Sequence, residues 1–156
     1  MDFVDFMHTA QQCAPAVHHR TMLYLSRGES SLNEFAIGVV GGRLIKQPRN
    51  LAEAVATAKV LIARKINFSA GISQVNYYNW ARFGLTVENV FSPCHNLSAG
   101  SAILSECFQR AERKKGGGAQ SNIQYALSCY YSNNFTTGFK EGYVRSIMRY
   151  ASNTAS

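Results

Sequence analysis

The sequence predicts an α+β domain, mostly helical, with a small β insertion after the second helix. Apolar residues recur at helical spacing through most of the chain. One stretch, FAIGVVGG at 35–42, is β-branched and broken by glycine, which suits a short strand and turn. No apolar run approaches the roughly 18 residues of a spanning helix, so no membrane span is expected. The chain has 156 residues, 46% of them hydrophobic and 16% charged. That predicts one domain over 1–156 with a sizeable interior.

Taken in order, residues 2–12 form a short apolar segment. Pro15 follows where a first helical turn tolerates proline. Val17, Thr21, Tyr24 and Leu25 mark the inward stripe of a second helix that ends near Gly28-Glu29. After the β segment, Asn50 followed by Glu53 is a capping-box-like start. Leu51, Ala54, Val55, Ala58, Leu61 and Ile62 then make an amphipathic helix, and Asn67 to Ser69 a short extended stretch. Ser92-Pro93 opens a helix with the stripe Gly100, Ile103, Leu104, Cys107, Phe108 and Ala111. Arg113 to Gln120 reads as a flexible, glycine-rich connection. Ile123, Leu127, Tyr130 and Tyr131 line the next helix, and Phe139, Tyr143, Ile147 and Met148 a last one.

Sixteen Lys and Arg against nine Asp and Glu give a net charge of +7, which favours an anionic partner. The cations are scattered. The one dense run, RAERKK before GGG, reads as a solvated loop rather than a nucleic-acid groove, so no nucleic-acid partner is expected. The four cysteines, Cys13, Cys94, Cys107 and Cys129, include no C-x-x-C pair. They suit two disulfides in an oxidising compartment, each contributing roughly 2–4 kcal/mol, with three pairings open; buried free thiols in a cytosolic protein are the alternative. Ligands at this spacing do not suggest zinc, and no metal or cofactor is expected. The first ten residues contain two aspartates and no basic residue, unlike a signal peptide. An exported protein would therefore have lost its signal before this sequence begins.

Among the acids, most sit on polar helix faces or at caps. Glu29 differs because a helix there gives way to a glycine-containing β region, a natural cleft edge. A carboxyl that keeps its proton near neutrality in an apolar setting is what glycosidic-bond cleavage requires. His18 and His19 are adjacent on a helix and should face different directions, as surface or local packing. Ser30 with a histidine has no nucleophile-elbow pattern, which excludes a hydrolase triad.

RGESSLN, AIGVVGG, AGISQVN and ALSCYYSNNF occur in that order. Together they resemble the motif set of the soluble lytic transglycosylases, lysozyme-like enzymes of the bacterial wall. QCAPAVHHRTM and FSPCHNLSAG further resemble the specialised transglycosylases of type IV secretion and conjugation systems. The resemblance spans roughly residues 10–145. It implies a lysozyme-like domain in which Glu29 is the catalytic acid/base and Ser30 orients its carboxyl group. Gly71, Ile72, Gln74 and Asn76 match the family's glycine–glutamine motif, with Gln74 bonding a sugar. Tyr130 matches a tyrosine expected to hydrogen-bond near Glu29, and it joins Ser30, Gly71, Ile72, Gln74, Asn76 and Tyr131 in the substrate-binding set that the resemblance implies.

Tyr131 stands at the family's usual asparagine, Asn133 at its usual glycine, and Ser73 where methionine is frequent. From the residues alone, Tyr130 also suits plain core, and Gln74 and Asn76 also suit a turn. Tyr77, Tyr78 and Trp80 divide between core and a sugar platform. The resemblance implies a periplasmic enzyme that opens peptidoglycan glycan strands locally for a secretion or conjugation apparatus, whose components are its expected partners. The alternatives are a hydrolytic muramidase, for which Glu34 is the nearest second acid, and a non-catalytic wall-binding assembly factor.

Overall fold

The computed structural model describes residues 1–154. Its helices are α1 (Phe3–Cys13), α2 (His19–Ser30), α3 (Leu51–Ala63), α4 (Pro93–Lys115), α5 (Ala119–Ser132), α6 (Thr137–Lys140) and α7 (Tyr143–Thr154). Three short strands, β1 (Ile37–Val39), β2 (Phe68–Ala70) and β3 (Val75–Asn76), form one antiparallel sheet in the order β1-β2-β3. The register pairs Ile37 with Ala70 and Ala70 with Val75. No helix among the described residues is long and apolar enough to cross a membrane.

Two apolar cores result. Phe6, Met22, Leu25, Leu97, Leu104, Leu127 and Ile147 fill the first, between α1, α2, α4, α5 and α7. Ile37, Ala58, Phe68, Val75, Trp80 and Val90 fill the second, between α3 and the sheet. α4 serves both, giving Leu97 and Leu104 to one and Ala99 and Ile103 to the other. Its length follows from its sequence: Pro93 sits in the first turn, and the left-handed Gly116 ends it.

Several expectations change. RAERKK is the last turns of α4, not a loop, because three cations at a helix C-terminus complement its dipole. The connection shrinks to Gly116–Gly118. Pro15 lies in a turn ahead of α2, where Val17 N–H donates to the Ala14 carbonyl at 3.4 Å. His18 then caps α2, its Nδ1 accepting Arg20 N–H at 3.1 Å. That cap folds the His18 ring back onto His19, so the two stack at 4.3 Å instead of diverging. α2 buries Met22, Leu23, Leu25 and Ser26 rather than one narrow stripe, since it packs between α1 and α7. Leu51 is exposed, outside the buried face of α3. The expected last helix is broken at Gly142, with α6 before it and α7 after.

The disulfides pair Cys13 with Cys94 and Cys107 with Cys129. The first ties the end of α1 to the start of α4, and the second ties α4 to α5. Their sequence separations are 81 and 22 residues. Because the longer loop restricts the unfolded chain more, Cys13→Ser/Cys94→Ser should destabilise by about 1 kcal/mol more than Cys107→Ser/Cys129→Ser. Urea unfolding of the two variants checks this order.

Candidate active site

Glu29 is the penultimate residue of α2. The helix stops there because Ser31 and Leu32 both take left-handed backbone, φ 54° and 62°. α7 comes very close at this point: a Cβ on Gly28 would collide with Ile147 and lie 3.6 Å from the Tyr150 ring. Glycine therefore lets α7 press its Tyr143 toward the end of α2.

The Glu29 side chain is partly buried, with its carboxyl group enclosed by protein. Burial raises the pKa of that carboxyl to about 7, and the Tyr143 hydroxyl draws it down only in part. A helix C-terminus also disfavours a negative charge. Among the described residues no cation offsets the loss of water. The Tyr143 hydroxyl is buried and lies toward Glu29 without making a well-formed hydrogen bond. Burial and then the Glu29 charge hold Tyr143 well above the ordinary phenol range, so it stays a neutral donor.

Across from α2 lies the turn that joins β2 to β3. Gly71 N–H donates to the Ala36 carbonyl at 2.9 Å and Gln74 N–H to the Gly71 carbonyl at 3.0 Å. Gly71 has φ 86°, and a Cβ there would strike Asn96 and come within 2.8 Å of the Val90 carbonyl oxygen. No other residue fits. The Ile72 side chain is fully buried, while its carbonyl accepts the Ser30 hydroxyl at 2.6 Å. The Tyr130 hydroxyl donates to the Ser73 carbonyl at 2.6 Å. Burial, then the Glu29 charge, pushes its pKa up as well. Ser30 and Tyr130 thus act on the turn from either side, and the turn fixes the end of α2.

Gln74 donates through Nε2 to the Ala36 and Gly71 carbonyls, both at 2.9 Å. Its amide nitrogen is committed, and its oxygen remains as an acceptor beside Gly38. Asn76 donates to Asn67 Oδ1 at 2.9 Å and accepts Tyr78 N–H at 3.1 Å, which ties the sheet to the next turn. The Tyr131 ring lies flat on Tyr143, centroids 4.4 Å apart, and its hydroxyl donates to Glu141 at 2.7 Å. Trp80 is buried and donates to the Val75 carbonyl at 3.0 Å, whereas Tyr78 is 71% exposed. The aromatic run is therefore divided between core and surface.

Three residues escaped the sequence reading. Tyr143 appeared there only as a stripe residue. Glu141 was one acid among the polar-face set. Asn96 went unnoticed, although it is fully buried and organises the turn. It accepts Ser73 N–H and hydroxyl at 2.8 and 2.6 Å and donates to the Ala70 and Val90 carbonyls at 2.9 Å each. Its signal was present: Asn96 precedes Gly100 by four residues and so continues an apolar stripe with a polar group.

Two shallow grooves of about 460 and 340 Å³ share Ile62, Tyr77 and Tyr78, and neither is lined by Glu29. The chemistry of Glu29, rather than either groove, locates the site. Among the described residues no three His, Cys, Asp or Glu side chains converge to hold a metal.

A helical lobe, a small sheet, and one raised-pKa carboxyl at a helix end between them define a lysozyme-like domain. Residues 6–146 match the transglycosylase SLT domain family, and the chain belongs to it. It is similar to the type IV secretion system protein virB1 of Brucella abortus, with 51% identity over 137 residues. That match covers 88% of this chain and 58% of the relative. The protein virB1 of Rhizobium radiobacter is 31% identical over 145 residues, 92% of this chain and 59% of the relative. That of Agrobacterium fabrum is 28% identical over 149 residues, 94% and 59% respectively. The chain thus spans about three-fifths of the length of these curated relatives. No solved structure matches it significantly.

The raised Glu29 pKa has a consequence for stability. Below about pH 4.5 the carboxyl is protonated in both the folded and unfolded states and costs nothing. From there to about pH 7 the unfolded chain releases the proton while the folded state retains it, so stability falls as pH rises. Glu29→Gln should therefore be more stable than the wild type at pH 8, by on the order of 3 kcal/mol. The difference should vanish below about pH 4.5. Denaturation of both proteins across this range measures it.

Proposed function

We propose that this protein is a peptidoglycan lytic transglycosylase. The single observation that carries the reading is Glu29, a carboxyl deprived of water and offered no cation, so that it keeps its proton to about pH 7. A group in that state can donate a proton to a glycosidic oxygen at neutral pH.

In this reading Glu29 protonates the oxygen of the β-1,4 bond between N-acetylmuramic acid and N-acetylglucosamine. The bond breaks, and the leaving sugar keeps the proton as its new hydroxyl. The acetamido group of the muramic residue stabilises the oxocarbenium-like centre. Glu29, now a carboxylate, takes the proton of the muramoyl C6 hydroxyl as that oxygen closes onto the anomeric carbon. The product is a 1,6-anhydro sugar, and Glu29 regains its proton. Tyr143 and Tyr130 remain neutral beside the transient carboxylate. Ser30, Gly71 and Ile72 fix the backbone beside Glu29, Asn76 ties the sheet to the next turn, and the Gln74 amide oxygen accepts from a sugar hydroxyl.

A hydrolytic muramidase would need a second carboxylate to activate water. Glu34 has no contact that brings it to Glu29. A non-catalytic wall-binding role would leave the raised acid without a use. The two disulfides suit an oxidising compartment, which supports a periplasmic setting. Relatives named for type IV secretion support a role in opening the wall locally for such an apparatus, with its components as partners.

Purified sacculi test the assignment. The wild type should clear a sacculus suspension, and Glu29→Gln should fold yet lose at least about a thousandfold in rate. Clearance by the variant at the wild-type rate would remove Glu29 from the chemistry.

A further inference from the structure

The Glu141 backbone caps α6, but its carboxylate joins no ion pair among the described residues. The ion pairs among the described residues are Arg49–Glu53 and Arg82–Glu106, and Glu141 is in neither. It lies at the turn between α6 and α7, two residues before Tyr143. Its carboxylate instead accepts the Tyr131 hydroxyl at 2.7 Å. That tyrosine is 44% exposed, and its ring lies on Tyr143 at an interplanar angle of 17°. A tyrosine so exposed on the last turn of a helix would otherwise rotate between staggered rotamers. Here both ends are held, the ring by Tyr143 and the hydroxyl by Glu141. Contacts thus run from the exposed Glu141 and Tyr131 to the partly buried Tyr143 and Glu29.

We propose that Glu141 is a positioning residue of the Glu29 site: by holding Tyr131 flat over Tyr143, it closes the side of the site that would otherwise admit water. The inference rests on the reading of Glu29 as the acid. A hydrogen bond to a carboxylate is stronger than one to a neutral acceptor, which suits an anchor at the surface. If the anchor is lost, Tyr131 swings out, water reaches Tyr143 and the carboxyl, and the desolvation that keeps Glu29 protonated weakens.

Among the described residues, Tyr143 of α7 and Tyr130 and Tyr131 of α5 act on Glu29, with Glu141 acting on Tyr131 from the α6–α7 turn. On its own helix the nearby cation, Arg27, lies over the Phe3 ring at 5.9 Å. Glu141 also brings a negative charge, so charge and positioning must be separated. Glu141→Gln removes the charge and keeps an acceptor. Glu141→Ala removes both. Tyr131→Phe cuts the same bond from the other end.

The test is a carboxyl-carbon NMR titration of Glu29 in the whole chain, with ring-to-ring NOEs between Tyr131 and Tyr143 read on the same samples. Glu141→Ala and Tyr131→Phe should each lose the NOEs and lower the Glu29 midpoint by about one pH unit. Glu141→Gln should keep the NOEs and nearly all of the midpoint. The double variant Glu141→Ala/Tyr131→Phe should shift no further than either single one, because both break one bond. On sacculi, Glu141→Ala should be roughly tenfold slower near neutrality and Glu141→Gln close to the wild type. The inference is overturned by an unchanged midpoint in Glu141→Ala, whether or not the rings separate, or by equal shifts in the Gln and Ala variants. Midpoints that shift as expected in proteins that never digest sacculi, the wild type included, would sink the enzymatic reading and leave the positioning role standing.

Discussion

Removal from water, with no cation nearby, lets a carboxyl group hold its proton near neutrality, and both conditions must be built by the rest of the fold. Here the desolvation of Glu29 is built from two directions. α7 closes on α2 because Gly28 leaves room for Ile147, which brings Tyr143 to the carboxyl. The β2–β3 turn closes from the other side, held by Ser30 and Tyr130 through the Ile72 and Ser73 carbonyls. Neither side chain touches the acid with its hydroxyl. Their effect is positional: they fix two backbone segments around a group that makes few bonds of its own.

Such an arrangement lowers stability. An acid whose charged form is penalised by burial and a buried phenol without a well-formed partner both oppose folding. The compensations lie nearby. Asn96, fully buried, satisfies four polar groups of the turn and its surroundings through one side chain. The two disulfides anchor α4 at its start and past its middle, so the helix that serves both cores is tied to α1 and α5. Sites of this kind are expected to sacrifice local stability for function.

Much of the fold could be read in the sequence because its signals are local. Asn50 and Glu53 start α3 as a cap, with Asn50 Oδ1 accepting Glu53 N–H at 2.9 Å. Ser92-Pro93 starts α4. The glycine-broken run at 35–42 gives β1 and its turn. What could not be read depends on contacts distant along the chain. Tyr143 and Glu29 are brought together by the packing of α7 on α2, and no periodicity reports which stripe residue faces an acid. Ser30 could be matched to a motif, but its bond to Ile72 spans 42 residues, and the residue pattern contains no hint of that partner. Tyr131, an oddity in sequence, has a partner only once the Gly142 break turns the chain and sets Glu141 beside it. The His18–His19 stack shows the same limit in reverse. Helical geometry separates neighbouring side chains, but His18 is the cap and lies outside the helix.

The central claim is that one carboxyl acts first as acid and then as base, with no water entering the product. Digestion of sacculi in ¹⁸O-labelled water, with the released fragments weighed by mass spectrometry, tests it most directly. The account predicts 1,6-anhydro muramic ends, one water lighter than hydrolysed ends, with no label incorporated. Labelled reducing ends would contradict it, because they require an activated water and therefore a second group to activate it.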